Sequence, residues 1–420
     1  MTNLKIHGGI PLKGKIRISG AKNSTLPILA ASLLAENESI IEDVSYLKDV
    51  KIMNDLLKAL GADTEISLNE SKIRINCRKI STITAPYDLV NKMRASFLVM
   101  GPMLARAGRV RIPMPGGCAI GTRPVDLHLK GFSAMGAQIS QFHGYIEGHM
   151  NGRLRGAKIY LDFPSVGATE NIIMAATLAD GVTVIENAAI EPEIVDLTTY
   201  LASMGANIKG AGTDTIRITG VPELKGTKHC VIPDRIEAGT FMVAAAITGG
   251  NIEIENVVPD HLKPITAKLR EAGVEIYEDM SSVRVCAKER MKAVDIKTHP
   301  YPGFPTDMQS QITSLMSIAK GTSIISESVF ENRFMHVSEL KRMGANIKIE
   351  GRIAVVEGKT ELLGAQVKAT DLRAGAALVL AGLVANGTST ITGISHIERG
   401  YFMIEEKLKS LGAQISKVDE

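Results

Sequence analysis

The sequence predicts an α/β repeat protein of two domains, on three observations. A helix end of one form returns six times, as LLKALGA (56–62), FSAMGA (132–137), LASMGA (201–206), LREAGV (269–274), LKRMGA (340–345) and LKSLGA (408–413). Each follows an apolar stripe and precedes an alternating segment, which is the pattern of a helix closed by a glycine and followed by a strand. Upstream of these ends lie runs of small apolar residues such as STLPILAASLLA (24–35), ASFLVMGPMLA (95–105), TENIIMAATLA (169–179), GTFMVAAAIT (239–248) and AGAALVLAGLVA (374–385). A helix apolar all round is buried on all sides. Short strands follow these runs, as in VTVIENA (182–188), NIEIENV (251–257) and TSIISES (322–328).

Taken in order, the chain opens on LKIHGGIPLKGKIRISG (4–20), expected to form a strand hairpin ahead of the first buried helix. The helix-end glycines Gly61, Gly136, Gly205, Gly273, Gly344 and Gly412 stand 75, 69, 68, 71 and 68 residues apart. Six copies of about 70 residues, each with strands and two helices, make a repeat architecture. Chain length favours two domains of three units, with a junction near Lys225–Asp234, where GTKHCVIPDR breaks the helical pattern.

One copy departs from the rest. From the residue opening the short strand to the helix-end glycine, five units count 24, 24, 23, 23 and 25 residues, and the second, Gly108 to Gly136, counts 28. The extra residues fall at PMPGGCAIG (113–121), and an insertion confined to one copy of a repeat is a common place for function. Glycines there let backbone approach a ligand. Arg123 offers a donor fork for phosphate or carboxylate, and a cation beside Cys118 favours its thiolate. The alternative is an inert, buried cysteine beside a turn.

Composition narrows the classes. A net charge of +3 is too small to make nucleic acid or an anionic membrane the main partner. With no tryptophan and 4% aromatics, the cores must be Leu, Ile, Val, Ala and Met. Cysteines 77, 118, 230 and 286 form no CxxC, which argues against zinc and disulfides and fits a reducing cytosol. The first residues lack the apolar core of a signal peptide, and the run 374–385 is too short to span a bilayer. A cytoplasmic protein without metal or other cofactor is expected.

Other candidates sit at helix openings. Lys22 and Asn23 in SGAKNST read either as an anion site at a helix N-terminus or as a cap. Arg94 heads the second buried helix. Asp307 in PGFPTDMQ precedes another, where a helix cap is the plain alternative. Asp234–Arg235, Glu331–Arg333, Asp371–Arg373 and Arg399 occupy equivalent places in their units, so these charges should gather at one end of each domain and line a cleft of both signs.

In GAKNSTLPILAA, KMRASFLVMGP, PGGCAIGTRPVDLHL, SVGATENI, ENAAIEPEIVDL, PDRIEAGTF, FPTDMQ, FENRFMH, TDLRAGAALVLAG and HIERGY, matched in order along the whole chain, the sequence closely resembles the enolpyruvyl transferases. Among them it resembles the branch acting on UDP-N-acetylglucosamine, because the shikimate-phosphate branch lacks the loop cysteine. The resemblance implies two inside-out α/β domains, residues 22–230 and residues 1–21 with 231–420, with the active site in the cleft between them. It implies transfer of the enolpyruvyl group of phosphoenolpyruvate to the 3-hydroxyl of UDP-N-acetylglucosamine with release of phosphate, at the first committed step of peptidoglycan synthesis. By the same likeness Lys22, Asn23, Arg123 and Arg399 hold phosphoenolpyruvate. Asn23, Arg94, Arg123, Pro124, Val125, Asp126, Leu127, Asp307 and Val329 contact the sugar nucleotide. Cys118 is the acid on a mobile loop and Asp307 the base, with Lys22 also catalytic. Phe163 stands where some relatives carry a lysine that contacts the diphosphate. The competing expectations are another acceptor, of the shikimate phosphate type, or a non-catalytic binding protein of the same fold.

Overall fold

Gly61, Gly136, Gly205, Gly273, Gly344 and Gly412 all adopt positive φ, between 91° and 115°, in the structure, a computed structural model that describes residues 2–115 and 125–419. That backbone ends a helix and turns the chain into the next strand, and a residue with a Cβ would be strained there. The six signals are therefore six real helix ends. The outer helix of the first repeat, Lys48–Leu60, for example, ends in the left-handed turn at Gly61 before the strand Asp63–Ser67.

The described chain divides into two compact units, residues 2–19 with 233–419 and residues 20–115 with 125–232. Each unit holds three sheets around three buried helices that pack on one another. In the unit 20–232 these helices are Lys22–Ala31, Met100–Ala107 and Val166–Ala176. In the other they are Arg235–Ile247, Gln309–Met316 and Leu372–Val384. Helices inside and sheets outside is the inverse of the usual α/β layering, and it explains why most of these helices carry no polar face. Close helix contact needs small residues. At Gly101 an added Cβ would stand 2.3 Å from the carbonyl oxygen of Asn171 on the neighbouring helix.

The sheets share one plan. A short edge strand runs parallel to the strand that follows the buried helix, and an antiparallel hairpin completes the sheet; in the fifth repeat the order is Ile296–Lys297, Thr322–Ser326, Ile353–Glu357, Asn346–Glu350. The second repeat has three named strands, its edge reduced to a bridge between Thr84 and Arg111.

The N-terminal segment is not the expected hairpin. Strand Thr2–His7 pairs antiparallel with Thr388–Thr392 and Gln414–Asp419, whereas Lys13–Arg17 pairs parallel with Asn251–Glu255 in a different sheet. The GG turn signal is local, but the sixth repeat lacks one hairpin arm of its own and the fourth lacks an edge strand. The first strand supplies the missing hairpin arm of the sixth repeat, and the second supplies the edge of the fourth. No helix among the described residues is long and apolar enough to cross a membrane.

Candidate active site

In the unit 2–19/233–419, Asp307 lies in the 3-10 turn Thr306–Met308 that leads into the helix Gln309–Met316. It caps nothing. Its Oδ1 accepts from Arg333 Nη2 at 2.7 Å, and its Oδ2 accepts from Arg373 Nη2 at 2.9 Å and Nε at 3.2 Å. Both arginines are buried, while 26% of the Asp307 side chain remains accessible. Burial alone would push this carboxyl up, but the charges of Arg373 and Arg333 outweigh it and hold Asp307 well below the usual carboxylate range. Asp307 is a carboxylate, fully ionised, with one edge open.

The arginines are themselves held. Arg333 Nη1 donates to Thr306 Oγ1 at 3.1 Å, and Thr306 donates to Glu327 Oε2 at 2.9 Å. Glu327 Oε1 also accepts the backbone N–H of Val329 at 2.8 Å, which fixes that residue's place beside the cluster. Arg373 Nη1 donates to the Tyr401 hydroxyl at 3.2 Å. Of the other flagged charges, Asp234 and Asp371 cap the helices that follow them, Arg235 lies 5.5 Å from the Tyr301 ring centroid, and Glu331 pairs at 3.4 Å with Arg352. Arg399 closes the 3-10 turn Ile397–Arg399, half-buried.

In the unit 20–232, Lys22 is the first residue of its helix, whose N-cap is Ala21 with no side-chain cap bond. The capping alternative for this segment therefore fails, since Asn23 is exposed and Ser24 donates to Asp196 instead. A cation at a helix N-terminus opposes the helix dipole. Lys22 is stabilised there by Asp49, whose Oδ2 lies 2.7 Å from Nζ with both side chains buried. An ammonium at the positive end of a helix costs helix stability, and the Asp49 carboxylate offsets that cost.

Arg94 opens the 3-10 turn Arg94–Val99 and faces His128. Gly101 N donates to Asn171 Oδ1 at 2.7 Å, so Asn171 Nδ2 must donate to His128 Nδ1 at 3.1 Å and the imidazole proton is on Nε2. Burial, then the charge of Arg94, depresses His128 to about 3. This neutral histidine anchors the helix Asp126–Ala134, with Val125 buried, Asp126 exposed and Leu127 half-buried at its start. Phe163 is 45% exposed just before Ser165, which caps the helix Val166–Ala176. Cys118, Arg123 and Pro124 lie outside the described residues.

Residues 6–408 match the family described as EPSP synthase (3-phosphoshikimate 1-carboxyvinyltransferase). The chain belongs to the EPSP synthase family. Within this family of enolpyruvyl transferases it is 64% identical over 414 residues to UDP-N-acetylglucosamine 1-carboxyvinyltransferase 1 of Caldanaerobacter subterraneus subsp. tengcongensis, covering 99% of each chain. It is 57% identical over 422 residues to UDP-N-acetylglucosamine 1-carboxyvinyltransferase 2 of Carboxydothermus hydrogenoformans, covering 100% of each. Among solved structures it is similar to the enolpyruvyl transferase NikO of Streptomyces tendae, with a TM-score of 0.90, 25% identity and 99% of each chain covered. An EPSP synthase structure from Acinetobacter baumannii matches with a TM-score of 0.77 at 19% identity over 100% of each chain, a likeness of fold.

Sequence reasoning missed several groups of this enolpyruvyl transferase. Asp49, the partner of Lys22, sits in the first turn of an ordinary amphipathic helix and carries no motif. Tyr401, Gln311 and Thr240 form a buried network behind Arg373. A signal for Gln311 was present: the helix Gln309–Met316 is QSQITSLM, buried yet rich in polar residues, unlike its apolar counterparts.

Proposed function

We propose that this chain is a UDP-N-acetylglucosamine 1-carboxyvinyltransferase, moving the enolpyruvyl group of phosphoenolpyruvate onto the 3-hydroxyl of UDP-N-acetylglucosamine and releasing phosphate. The observation that carries this reading is 64% identity, across 99% of both chains, to a relative of that name. The reading extends to a cytoplasmic enzyme at the first committed step of peptidoglycan synthesis.

The residue chemistry supports it. Phosphoenolpyruvate is strongly anionic, and Lys22, Arg123 and Arg399 supply cations for its phosphate and carboxylate, with Asn23 beside them. The sugar nucleotide takes Asn23, Arg94, the segment Arg123 to Leu127, Asp307 and Val329. Cys118 gives a proton to the methylene carbon, which leaves an oxocarbenium-like centre at the neighbouring carbon. The sugar hydroxyl attacks that centre as its proton passes to Asp307; phosphate then leaves with that proton, and the new methyl group returns a proton to the Cys118 thiolate, which restores the double bond. Asp307 as it stands is too acidic to be a strong base, because two guanidinium groups share its charge. The reading therefore requires the hydroxyl to displace one of them, which raises the basicity of the carboxylate at the moment it is needed.

A second reading, with shikimate 3-phosphate as acceptor, is favoured by the description of the matching family. Phosphate release from phosphoenolpyruvate, measured separately with each acceptor, decides between them. Release with UDP-N-acetylglucosamine alone is expected, and release with shikimate 3-phosphate alone overturns the proposal. In the same protein, fosfomycin should place one covalent adduct on the peptide containing Cys118. An adduct on Cys77, Cys230 or Cys286 removes Cys118 from its role as the reactive thiol.

A further inference from the structure

One oxygen ties the three buried helices of the unit 2–19/233–419 together. The Tyr401 hydroxyl lies 2.9 Å from Thr240 Oγ1 in the helix Arg235–Ile247, 3.0 Å from Gln311 Nε2 in the helix Gln309–Met316, and 3.2 Å from Arg373 Nη1 in the helix Leu372–Val384. The direction of each bond follows from the inventory of donors. Arginine and the glutamine amide nitrogen can only donate, so the Tyr401 oxygen accepts from both. Thr240 gives its own proton to the Ile236 carbonyl at 2.8 Å, so the Tyr401 O–H donates to Thr240 Oγ1. Every valence of the hydroxyl is used, and all four side chains are buried.

The consequence reaches Asp307. With Nη1 tethered to Tyr401, the remaining edge of the Arg373 guanidinium, Nε and Nη2, can point only at Oδ2 of Asp307. Gln311 Nε2 also donates to the Asp307 backbone carbonyl at 2.9 Å, which fixes the carboxylate from below. Among the described residues Oδ1 has a single donor, Arg333 Nη2. We infer that Tyr401 is a positioning residue for the transfer reaction: it locks Arg373 onto Oδ2 of Asp307 and leaves Oδ1 as the oxygen that exchanges Arg333 for the substrate hydroxyl and takes its proton. The inference rests on the reading of Asp307 as the base. The other groups that act on this cluster are Glu327 through Thr306, His336 beside Arg333, Asp234 acting on Arg373 and Tyr401, and Asp371 acting on His336.

The test is Tyr401→Phe in the full chain, with Thr240→Val as a second variant that removes the acceptor of the tyrosine proton, together with a 3.3 Å contact from Gln311 Nε2 and the bond to the Ile236 carbonyl, and leaves the bonds of Arg373 and Gln311 to Tyr401 in place. The phenylalanine leaves Arg373 and Gln311 each short of an acceptor, so Arg373 loosens its hold on Oδ2 and Asp307 is less strongly held in its ionised form. The acidic limb of kcat against pH should move upward by about one unit. Turnover at neutral pH should fall roughly tenfold, a fraction of the about 10² to 10⁴ that a positioned base contributes, while KM for both substrates stays within about threefold. Thr240→Val should shift the same limb in the same direction by less, and it decides the matter if Tyr401→Phe does not fold. A lowered melting temperature with an unmoved pH profile in both variants overturns the inference, because a purely structural tyrosine behaves that way. The two readings fail separately: a wild-type protein without transfer activity, or an Asp307→Asn variant with full turnover, overturns the proposed function or the base. A normal wild type and an inactive Asp307→Asn variant with an unmoved Tyr401→Phe profile overturn this inference alone.

Discussion

Asp307 and Glu170 are both carboxylates set in the interior of a unit, and they are kept in opposite states. Asp307, in the unit 2–19/233–419, would be pushed up by burial but is pulled well below its ordinary range by Arg373 and Arg333. Glu170, on the buried helix Val166–Ala176 of the other unit, is held well above its ordinary range, first by burial and then by the charges of Glu193 and Glu191. The difference is one of neighbours, since the two side chains have nearly the same intrinsic chemistry. Where cations are supplied, an interior carboxylate keeps its charge and can only accept a proton or a hydrogen bond. Where more carboxylates are supplied, it keeps its proton and can donate. The fold thus moves almost the same group to opposite sides of its ordinary range in the two units.

Replacing Asp307 by Asn breaks the comparison most severely. The amide cannot take a proton, so turnover should fall by on the order of 10² to 10⁴. Two buried arginines lose their counter-charge as well, so thermal stability and sugar-nucleotide affinity must be measured on the same protein. Retained binding with turnover near wild type returns Asp307 to a structural role.

Asp49 is a third case, a buried carboxylate with the Lys22 ammonium at 2.7 Å. Asp49→Asn removes the counter-charge on which Lys22 rests and should cost about 3 kcal/mol, read from the urea midpoint. A change below about 0.5 kcal/mol, the ordinary range for surface substitutions, means that the pair contributes no net stability.

Glu170→Gln gives the mildest effect and works in the other direction. The folded state holds a proton that the unfolded chain releases above pH 4.5, so wild-type stability falls as pH rises from 4.5 towards the raised folded value. The amide mimics the protonated acid and does not titrate. The variant should therefore match the wild type below pH 4.5 and exceed it above, the gap opening by up to about 1.4 kcal/mol per pH unit. Parallel stability curves for the two proteins mean that Glu170 is ionised in the fold.

The repeat architecture was legible because its punctuation is local. A glycine at positive φ after an apolar stripe is decided within one turn of chain, and Gly61, Gly205 and Gly412 needed no distant partner to be read. The segment 4–20 was misread for the same reason. Its alternation and its Gly-Gly turn specify two strands, but the strand that pairs with Leu4 is at Ile391. The site was legible in position and not in connection. Asp307 and Arg373 were both picked out at helix openings, and their separation of 66 residues is close to one repeat length, which aligns them in neighbouring copies. Asp49 stands in no motif, and Tyr401 closes the HIERGY stretch with nothing local to give it a role; what singles them out is a hydroxyl 3.2 Å from a guanidinium and a carboxylate 2.7 Å from an ammonium, which only packing determines.

The pairing of Thr2 with Asp419 has a consequence for how the chain is made. Residues 20–232 carry all three of their sheets within one continuous stretch, so that unit can assemble while synthesis is still under way. The strand Thr2–His7 is made long before the rest of its sheet and has no partner in it until Thr388–Thr392 emerges. At about 5 to 20 residues per second, that is a wait of roughly 20 to 80 s with an unpaired strand in a crowded cell. The charged Lys5 and the polar His7 on its alternate positions leave it a poor template for stray strand pairing during that interval. A strand made early is thus paired late, after the whole of residues 20–232 has been synthesised.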